Sequence, residues 1–260
     1  MAILIQSIKE ATALKDKIVL IPFIEQELLY ALFQVYFPLM CLTDVFTHYD
    51  LHADNVLMYE PIKGSYIHYH YHLVNGASIS FKSKYIAKII DYGRSFFNDV
   101  ENTTVTGSSL RIHKQICSLK ECNPNCGNDV GYEWLQAYRQ NPADDYYISS
   151  ITVNHSHDLR LIDMIKKILL TMAKSTNKNV LNLQKLMKKV KYVVHYGTPS
   201  NKKPNDKNGI YNSTGVCVAL QEIIIMPDVV TSNETVYAGM NKIGDLHMYM
   251  DGRPISFIPV

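Results

Sequence analysis

The sequence predicts an α+β fold with a buried core helix and a small antiparallel sheet. Residues 28–42 are apolar at helical spacing and, at 15 residues, are too short to span a bilayer, which predicts a buried core helix. Short apolar runs at 56–58 and 86–90 predict two strands. Strand-like residues on both sides of Asn75-Gly76, a typical type I′ turn pair, predict a β-hairpin over 66–85. With 47% apolar residues, the 260-residue chain can bury one sizeable core, so we expect a single domain.

Two polar motifs stand at the ends of the two predicted strands. His48-Tyr49-Asp50-Leu51-His52-Ala53-Asp54-Asn55 precedes the first strand, and Asp91-Tyr92-Gly93 follows the second. Phosphoryl transfer needs one carboxylate to orient the attacking hydroxyl, and a second carboxylate with an amide to hold Mg²⁺ on the phosphates. The motifs resemble the catalytic loop and the magnesium-binding Asp-Phe-Gly turn of the protein-kinase superfamily.

This resemblance implies a role for each motif residue. Asp50 would be the catalytic carboxylate, while Asn55 and Asp91 would bind Mg²⁺ and, with Gly93, the nucleotide ATP. His48 belongs to the same catalytic loop. The resemblance therefore implies an ATP-dependent phosphotransferase acting on an alcohol group.

Two departures from the protein-kinase pattern leave the acceptor open. Tyr49 stands where many regulated kinases have an arginine that pairs with a phosphorylated loop. His52, a further catalytic-loop candidate, stands where Ser/Thr kinases usually have lysine. A histidine at this position resembles the small-molecule kinases of the aminoglycoside and choline type. A Ser/Thr-type protein kinase is the first expectation, and a small-molecule kinase is the alternative.

The resemblance also implies a mainly helical fold and a division of the chain. Residues 1–17 would be the end of a kinase N-lobe and the hinge, 18–174 a kinase-like C-lobe with the hairpin inserted, and 175–260 a divergent C-terminal part. No glycine precedes Gly64 and no lysine-bearing strand of the Val-Ala-Ile-Lys type precedes Asp50, so we expect the N-lobe to be largely missing. Activity would then need an N-lobe partner, and a catalytically inactive pseudokinase or interaction module is the rival function.

Composition bears on compartment and partners. The texture rich in Ile, Lys, Asn and Tyr is similar to the divergent kinase-like proteins of giant DNA viruses, which implies a cytoplasmic or virion location. Five cysteines, an odd number, fit a reducing compartment, and because the sequence does not open with a basic segment followed by an apolar run, we expect no secretion. Residues 160–207 carry a local net charge of +10 against +2 overall, but a solvated helix face is favoured over nucleic-acid binding. No membrane partner is expected.

Two further groups suggest metal sites. His113, Cys117, Cys122 and Cys126 provide four soft ligands for a structural zinc ion, although their spacing matches no standard knuckle and ordinary reduced thiols are favoured.

In the hairpin, His68, His70 and His72 alternate along one face. A two-residue turn would place His70 opposite Phe81 and His72 opposite Ile79, which favours packed imidazoles over a metal site.

Asp158 opens an amphipathic helix expected to run to about residue 174. The family has at this place a buried aspartate that binds the catalytic-loop backbone. A carboxylate at a helix N-terminus is equally explained as a cap. Both interpretations make Asp158 structural.

Overall fold

Seven α-helices and three small β-sheets form a mixed α+β arrangement in the residues that the computed structural model describes, which are residue 8 and residues 10–97, 157–190 and 208–260. The helices are α1 Leu14–Lys17, α2 Ile21–Gln26, α3 Leu28–Cys41, α4 Arg160–Thr171, α5 Lys178–Lys189, α6 Ser213–Ile224 and α7 Pro227–Val236. The strands are β1 Thr12–Ala13, β2 Phe46–Thr47, β3 Val56–Tyr59, β4 Ser65–His72, β5 Ser78–Ser83, β6 Ile86–Ile89, β7 Phe96–Phe97, β8 Asn241–Tyr249 and β9 Ser256–Pro259.

Helix α3 is the centre of the core, as its sequence predicts. All of its residues except Pro38 and Cys41 are buried, which is the environment expected for a helix that is apolar on every side. Helix α6 packs against it. Gln34, the one buried amide side chain of α3, donates to the Tyr85 carbonyl at 3.1 Å and accepts from the Ala87 N–H at 2.9 Å. The central helix therefore fixes where β6 begins.

Strands β3 and β6 pair antiparallel at the predicted places. The register sets Val56 opposite Ile89 and Tyr59 opposite Ile86. Strand β1 adds to the other edge of β3, giving the order β1-β3-β6. Because the strands are antiparallel, the residues before β3 and those after β6 meet at the same end of the sheet.

The predicted hairpin forms, but its register differs by one residue. Leu73 N–H donates to the Ala77 carbonyl at 2.9 Å, and Gly76 N–H donates to the Leu73 carbonyl at 3.1 Å, so the loop has three residues rather than two. Gly76 has φ = 80°, the left-handed conformation that closes such a loop. A shift of one residue moves every side chain to the other face of the sheet.

The predicted packing of His70 against Phe81 and of His72 against Ile79 is therefore wrong, and the imidazoles instead pack against one another and His247. Tyr69 and Tyr71, not the histidines, lie opposite Phe81 and Ile79 in the core. His68, His70 and His72 line the opposite, half-buried face of β4. Their imidazoles are accessible to solvent.

The C-terminal residues, to which the sequence assigns no role, complete the hairpin's sheet. Strand β8 runs parallel to β4, and β9 pairs antiparallel with β8, so the sheet has the order β5-β4-β8-β9. The sequence predicts one small antiparallel sheet, whereas the described residues form three small sheets. The four-stranded sheet is mixed, because β4 and β8 are parallel.

Several predictions concern residues outside the described part of the chain. These are residues 1–7 and 9 of the expected N-lobe end, and the proposed zinc ligands His113, Cys117, Cys122 and Cys126. In the part that is described, no single helix is long and apolar enough to cross a membrane, and α6 with α7 meets the length and composition test only as a pair bent by 74°.

Candidate active site

The two motif loops face each other and are fixed at both ends. At one end β3 pairs with β6, and the Ile90 N–H donates to the Asn55 carbonyl at 3.0 Å. At the other end β2, which leads into His48, pairs antiparallel with β7, which follows Ser95. Residues 48–55 and 90–95 are therefore held between two small sheets, and sequence-distant polar groups are brought to one place.

His48 links the two loops. Its ring is fully buried, with Nε2 3.0 Å from the Ile90 carbonyl and Nδ1 accepting from the Asp50 N–H at 3.3 Å. Because Nδ1 accepts, the proton lies on Nε2, which donates to Ile90. The Ser95 hydroxyl also donates to the His48 carbonyl at 3.2 Å. Both ring nitrogens are used within the protein, so His48 supports the loop rather than contacting a substrate.

Asp158 holds the backbone of the same loop. Its carboxylate accepts from the His48 N–H at 2.9 Å and from the Tyr49 N–H at 3.1 Å. The Tyr36 hydroxyl donates to the Asp158 carbonyl at 2.8 Å. Helix α4 begins at Arg160 without a side-chain cap, so the carboxylate serves the loop and not its own helix. Burial raises the pKa of Asp158 to about 6, although the two N–H donors act in the other direction.

Each loop contains one residue with a strained backbone. Tyr49 and Asp91 both have φ = 61°, and the only other non-glycine residue with positive φ in the described ranges is Glu10. Such a conformation costs about 1–3 kcal/mol and persists only where the surroundings enforce it. For Tyr49 the surroundings are a fully buried side chain, a ring 4.9 Å from that of His157, and the bond to Asp158. Strain of this kind clusters at functional sites.

Asp50 forms an ion pair that its neighbours in sequence do not reveal. Arg160 Nη1 lies 2.9 Å from Asp50 Oδ1, and His52 Nε2 lies 3.5 Å from the same oxygen. The Arg160 guanidinium fixes the orientation of the Asp50 carboxylate, whose side chain is only 11% exposed. Sequence reasoning missed Arg160, because 110 residues separate the partners. The one available signal was its position two residues after Asp158.

His52 also orients the following turn. Its Nδ1 accepts from the Asp54 N–H at 3.3 Å, and the Asp54 carboxylate pairs with Lys15 of α1 at 3.0 Å. Lys15 lowers the pKa of Asp54, first through their hydrogen bond. Both partners are largely exposed, so this pair adds little stability and mainly ties α1 to the loop.

Asn55 and Asp91 have the oxygen atoms that a magnesium ion requires. Asn55 Nδ2 donates to the Asp50 carbonyl at 3.0 Å, which fixes the amide and leaves Oδ1 as an acceptor. Asp91 is exposed, and its carboxylate has no hydrogen-bond or ion-pair partner among residues 10–97, 157–190 and 208–260. A side chain at Gly93 would place its Cβ 3.3 Å from Asp91 Oδ1, so glycine keeps that oxygen uncrowded. Mg²⁺ is commonly held by one or two protein oxygens together with phosphates, and these residues fit it.

No protein-family model, curated protein or solved structure matches this chain. Its function therefore has to be inferred from the chemistry of the residues themselves.

Proposed function

We propose that this protein is a magnesium- and ATP-dependent phosphotransferase with a protein-kinase-like C-lobe. The observation that carries the proposal is the fixing of two loops against each other, with Asp50 and Asn55 on one and Asp91 on the other. The acceptor is an alcohol group, either a Ser/Thr hydroxyl of a protein or a small molecule. Asp50 is held by Arg160 whereas Asp91 is exposed, and this difference in environment supports phosphoryl transfer over simple cation binding.

Each side chain has a distinct task in this proposal. Asp50 accepts a hydrogen bond from the acceptor hydroxyl and aligns its oxygen with the phosphorus. Arg160 is a positioning residue, since it holds the Asp50 carboxylate in place. Asn55 and Asp91 would hold Mg²⁺, which neutralises phosphate charge when bound. His48 and Asp158 keep these groups at fixed separations.

A nucleotide-binding experiment tests the metal ligands without requiring turnover. ATP with Mg²⁺ should raise the melting temperature of the whole chain, because a ligand at 100 times its Kd stabilises the folded state by about 2.7 kcal/mol. Asp91→Asn should remove most of this shift, and asparagine tolerates the left-handed backbone at that position. Asp44→Asn, at an exposed turn after α3, is the matched control and should keep the full shift. An Asp91→Asn protein that responds like wild type would contradict the assignment.

The catalytic role of Asp50 is tested by turnover. With a kinase N-lobe supplied in cis or in trans, radiolabelled ATP and a panel of protein and small-alcohol acceptors, Asp50→Asn should lower kcat by about 100-fold or more while the Mg-ATP melting shift is kept. Equal turnover by the variant and wild type would exclude Asp50 from the mechanism.

The Arg160 ion pair favours a second function, that of an inactive nucleotide-binding pseudokinase. The guanidinium already binds the carboxylate oxygen that a substrate hydroxyl would approach. In that case wild type would bind Mg-ATP without transferring phosphate to any acceptor tested. Turnover that is present in wild type and reduced in Arg160→Gln would favour the enzyme.

A further inference from the structure

The half-buried face of the hairpin's sheet collects metal-binding side chains from two distant segments. We call it the histidine face: His68, His70 and His72 of β4 and Asp245 and His247 of β8. The parallel register sets His68 beside Asp245 and His70 beside His247. None of these residues takes part in the proposed phosphotransfer site.

Three ligand atoms on this face have the spacing of a metal site. Asp245 Oδ1 lies 2.8 Å from His70 Nε2 and 3.4 Å from His68 Nδ1, and all three atoms lie within 4.8 Å of one another. Zinc bonds of about 2.0–2.1 Å in tetrahedral geometry separate neighbouring ligands by about 3.3 Å. An ion would therefore need only a small outward movement of His70. The side chains are 21–28% exposed, which leaves a route for entry from solvent.

The second contacts of these residues already orient the ligand atoms. Ser80 Oγ lies 3.0 Å from His70 Nδ1, so the hydroxyl can accept from Nδ1–H while Nε2 binds an ion. Lys242 Nζ donates to Asp245 Oδ2 at 2.7 Å, which leaves Oδ1 turned to the two imidazoles. Metal-binding histidines and carboxylates commonly have such outer partners.

We propose that His68 Nδ1, His70 Nε2 and Asp245 Oδ1 bind a divalent transition-metal ion of the zinc class, with a fourth coordination position open to water or an external ligand. Two imidazoles and one carboxylate are a donor set suited to Zn²⁺ and Co²⁺ rather than to Mg²⁺. Three protein ligands with an open position are typical of reactive rather than purely structural zinc sites. The competing explanation is a plain histidine–aspartate hydrogen bond without an ion.

The test is titration of the metal-free protein with ZnCl₂ by calorimetry and with CoCl₂ by visible absorption. All proteins carry Cys117→Ser, Cys122→Ser and Cys126→Ser, so that those thiols cannot supply a site. One equivalent should bind, and the cobalt spectrum should show a tetrahedral d–d band. His70→Ala and Asp245→Asn should each weaken Kd by at least about 10-fold, and Ser80→Ala by about 10-fold through the lost outer contact.

His72→Ala is the matched control, because His72 lies on the same strand and face but instead faces His247 at 3.0 Å. It should bind within about 2-fold of wild type. Asp245→Asn changes no volume, and its metal-free melting temperature shows whether it is folded, so lost binding in a folded variant supports the site. Absence of the first equivalent, wild-type affinity in His70→Ala, or an equal loss in His72→Ala would overturn the proposal.

Discussion

Asp158 is the residue whose loss should most disturb the candidate active site. Its carboxylate satisfies two buried N–H groups, those of His48 and Tyr49. Leaving a buried donor unsatisfied costs about 1–3 kcal/mol, so Asp158→Ala should lower the free energy of unfolding by about 2–6 kcal/mol. Relaxation of the strained Tyr49 backbone offsets part of this cost. Asp158→Asn retains one acceptor oxygen, so it should lose about half as much.

The assay is urea unfolding at pH 7.5, where the Asp158 carboxyl, with its pKa of about 6, is ionised in wild type. Amide hydrogen exchange should rise in a peptide covering 46–52 and stay unchanged in one covering 67–72, because only the first contains the released N–H groups. Asp163→Asn is the control on the same helix, since Asp163 pairs with Lys167 at 2.8 Å and should leave exchange in the 46–52 peptide unchanged. A loss below about 1 kcal/mol in Asp158→Ala, with unchanged exchange at 46–52, would refute this reasoning.

Three further predictions concern stability. Burial raises the pKa of Glu27 from 4.5 to about 7, so between these pH values the folded state holds a proton that the unfolded chain releases. The resulting contribution to stability is fully present below pH 4.5 and should be lost as the pH rises to about 7. The loss in unfolding free energy should be about 3 kcal/mol. Glu27→Gln should remove this loss and leave the pH dependence due to the other groups shifted in this pH range, which are Asp158, His68 and His247; an unchanged plot would contradict the assignment. Gln34→Ala should lower the free energy of unfolding in urea by about 1–3 kcal/mol, because it leaves the Ala87 N–H without its acceptor. A decrease below about 0.5 kcal/mol would show that water replaces the amide. Gly76→Ala should cost about 1 kcal/mol through its φ of 80° alone, since no atom lies within 4 Å of the added methyl; a neutral result would place the turn in another conformation.

Local patterns were sufficient for the elements that decide the candidate active site. Helix α3 follows from an apolar run without a polar face, and β3 and β6 follow from short apolar runs bounded by polar motifs. Because the motifs stand at the ends of these paired strands, Asn55 and Asp91 lie at the same end of the sheet. These predictions depend on residues close in sequence, where spacing is informative.

The hairpin register shows where local patterns are ambiguous. Gly76 with positive φ fits both a two-residue turn and the last position of a three-residue loop, and the difference is one residue. The core decides, because it buries Tyr69 and Tyr71 rather than the histidines. A polar imidazole on the solvent side keeps its contacts with water, whereas packing it against Phe81 would cost free energy because those contacts are lost.

Long-range partners left no comparable signal. Asp245 is 175 residues from His70, and Arg160 is 110 residues from Asp50. Alternation along β8 predicts a strand but not which strand it joins. Such pairings depend on which faces of all the helices and strands are buried together in the core. The spacing of residues along the chain does not give this information.

The two proposed sites should be separable, because strand β4 uses opposite faces for different purposes. Its odd-numbered residues Tyr69 and Tyr71 pack into the core, and the Tyr69 hydroxyl donates to the Tyr85 carbonyl at 2.8 Å, just before β6 leads to Asp91. Its even-numbered histidines lie on the opposite, half-buried face. Substitution of His70 should therefore change metal binding while leaving the Mg-ATP response intact. Loss of both responses in a folded His70→Ala protein would mean that the ion acts on β6 through the sheet, and that the two faces of β4 are coupled rather than independent.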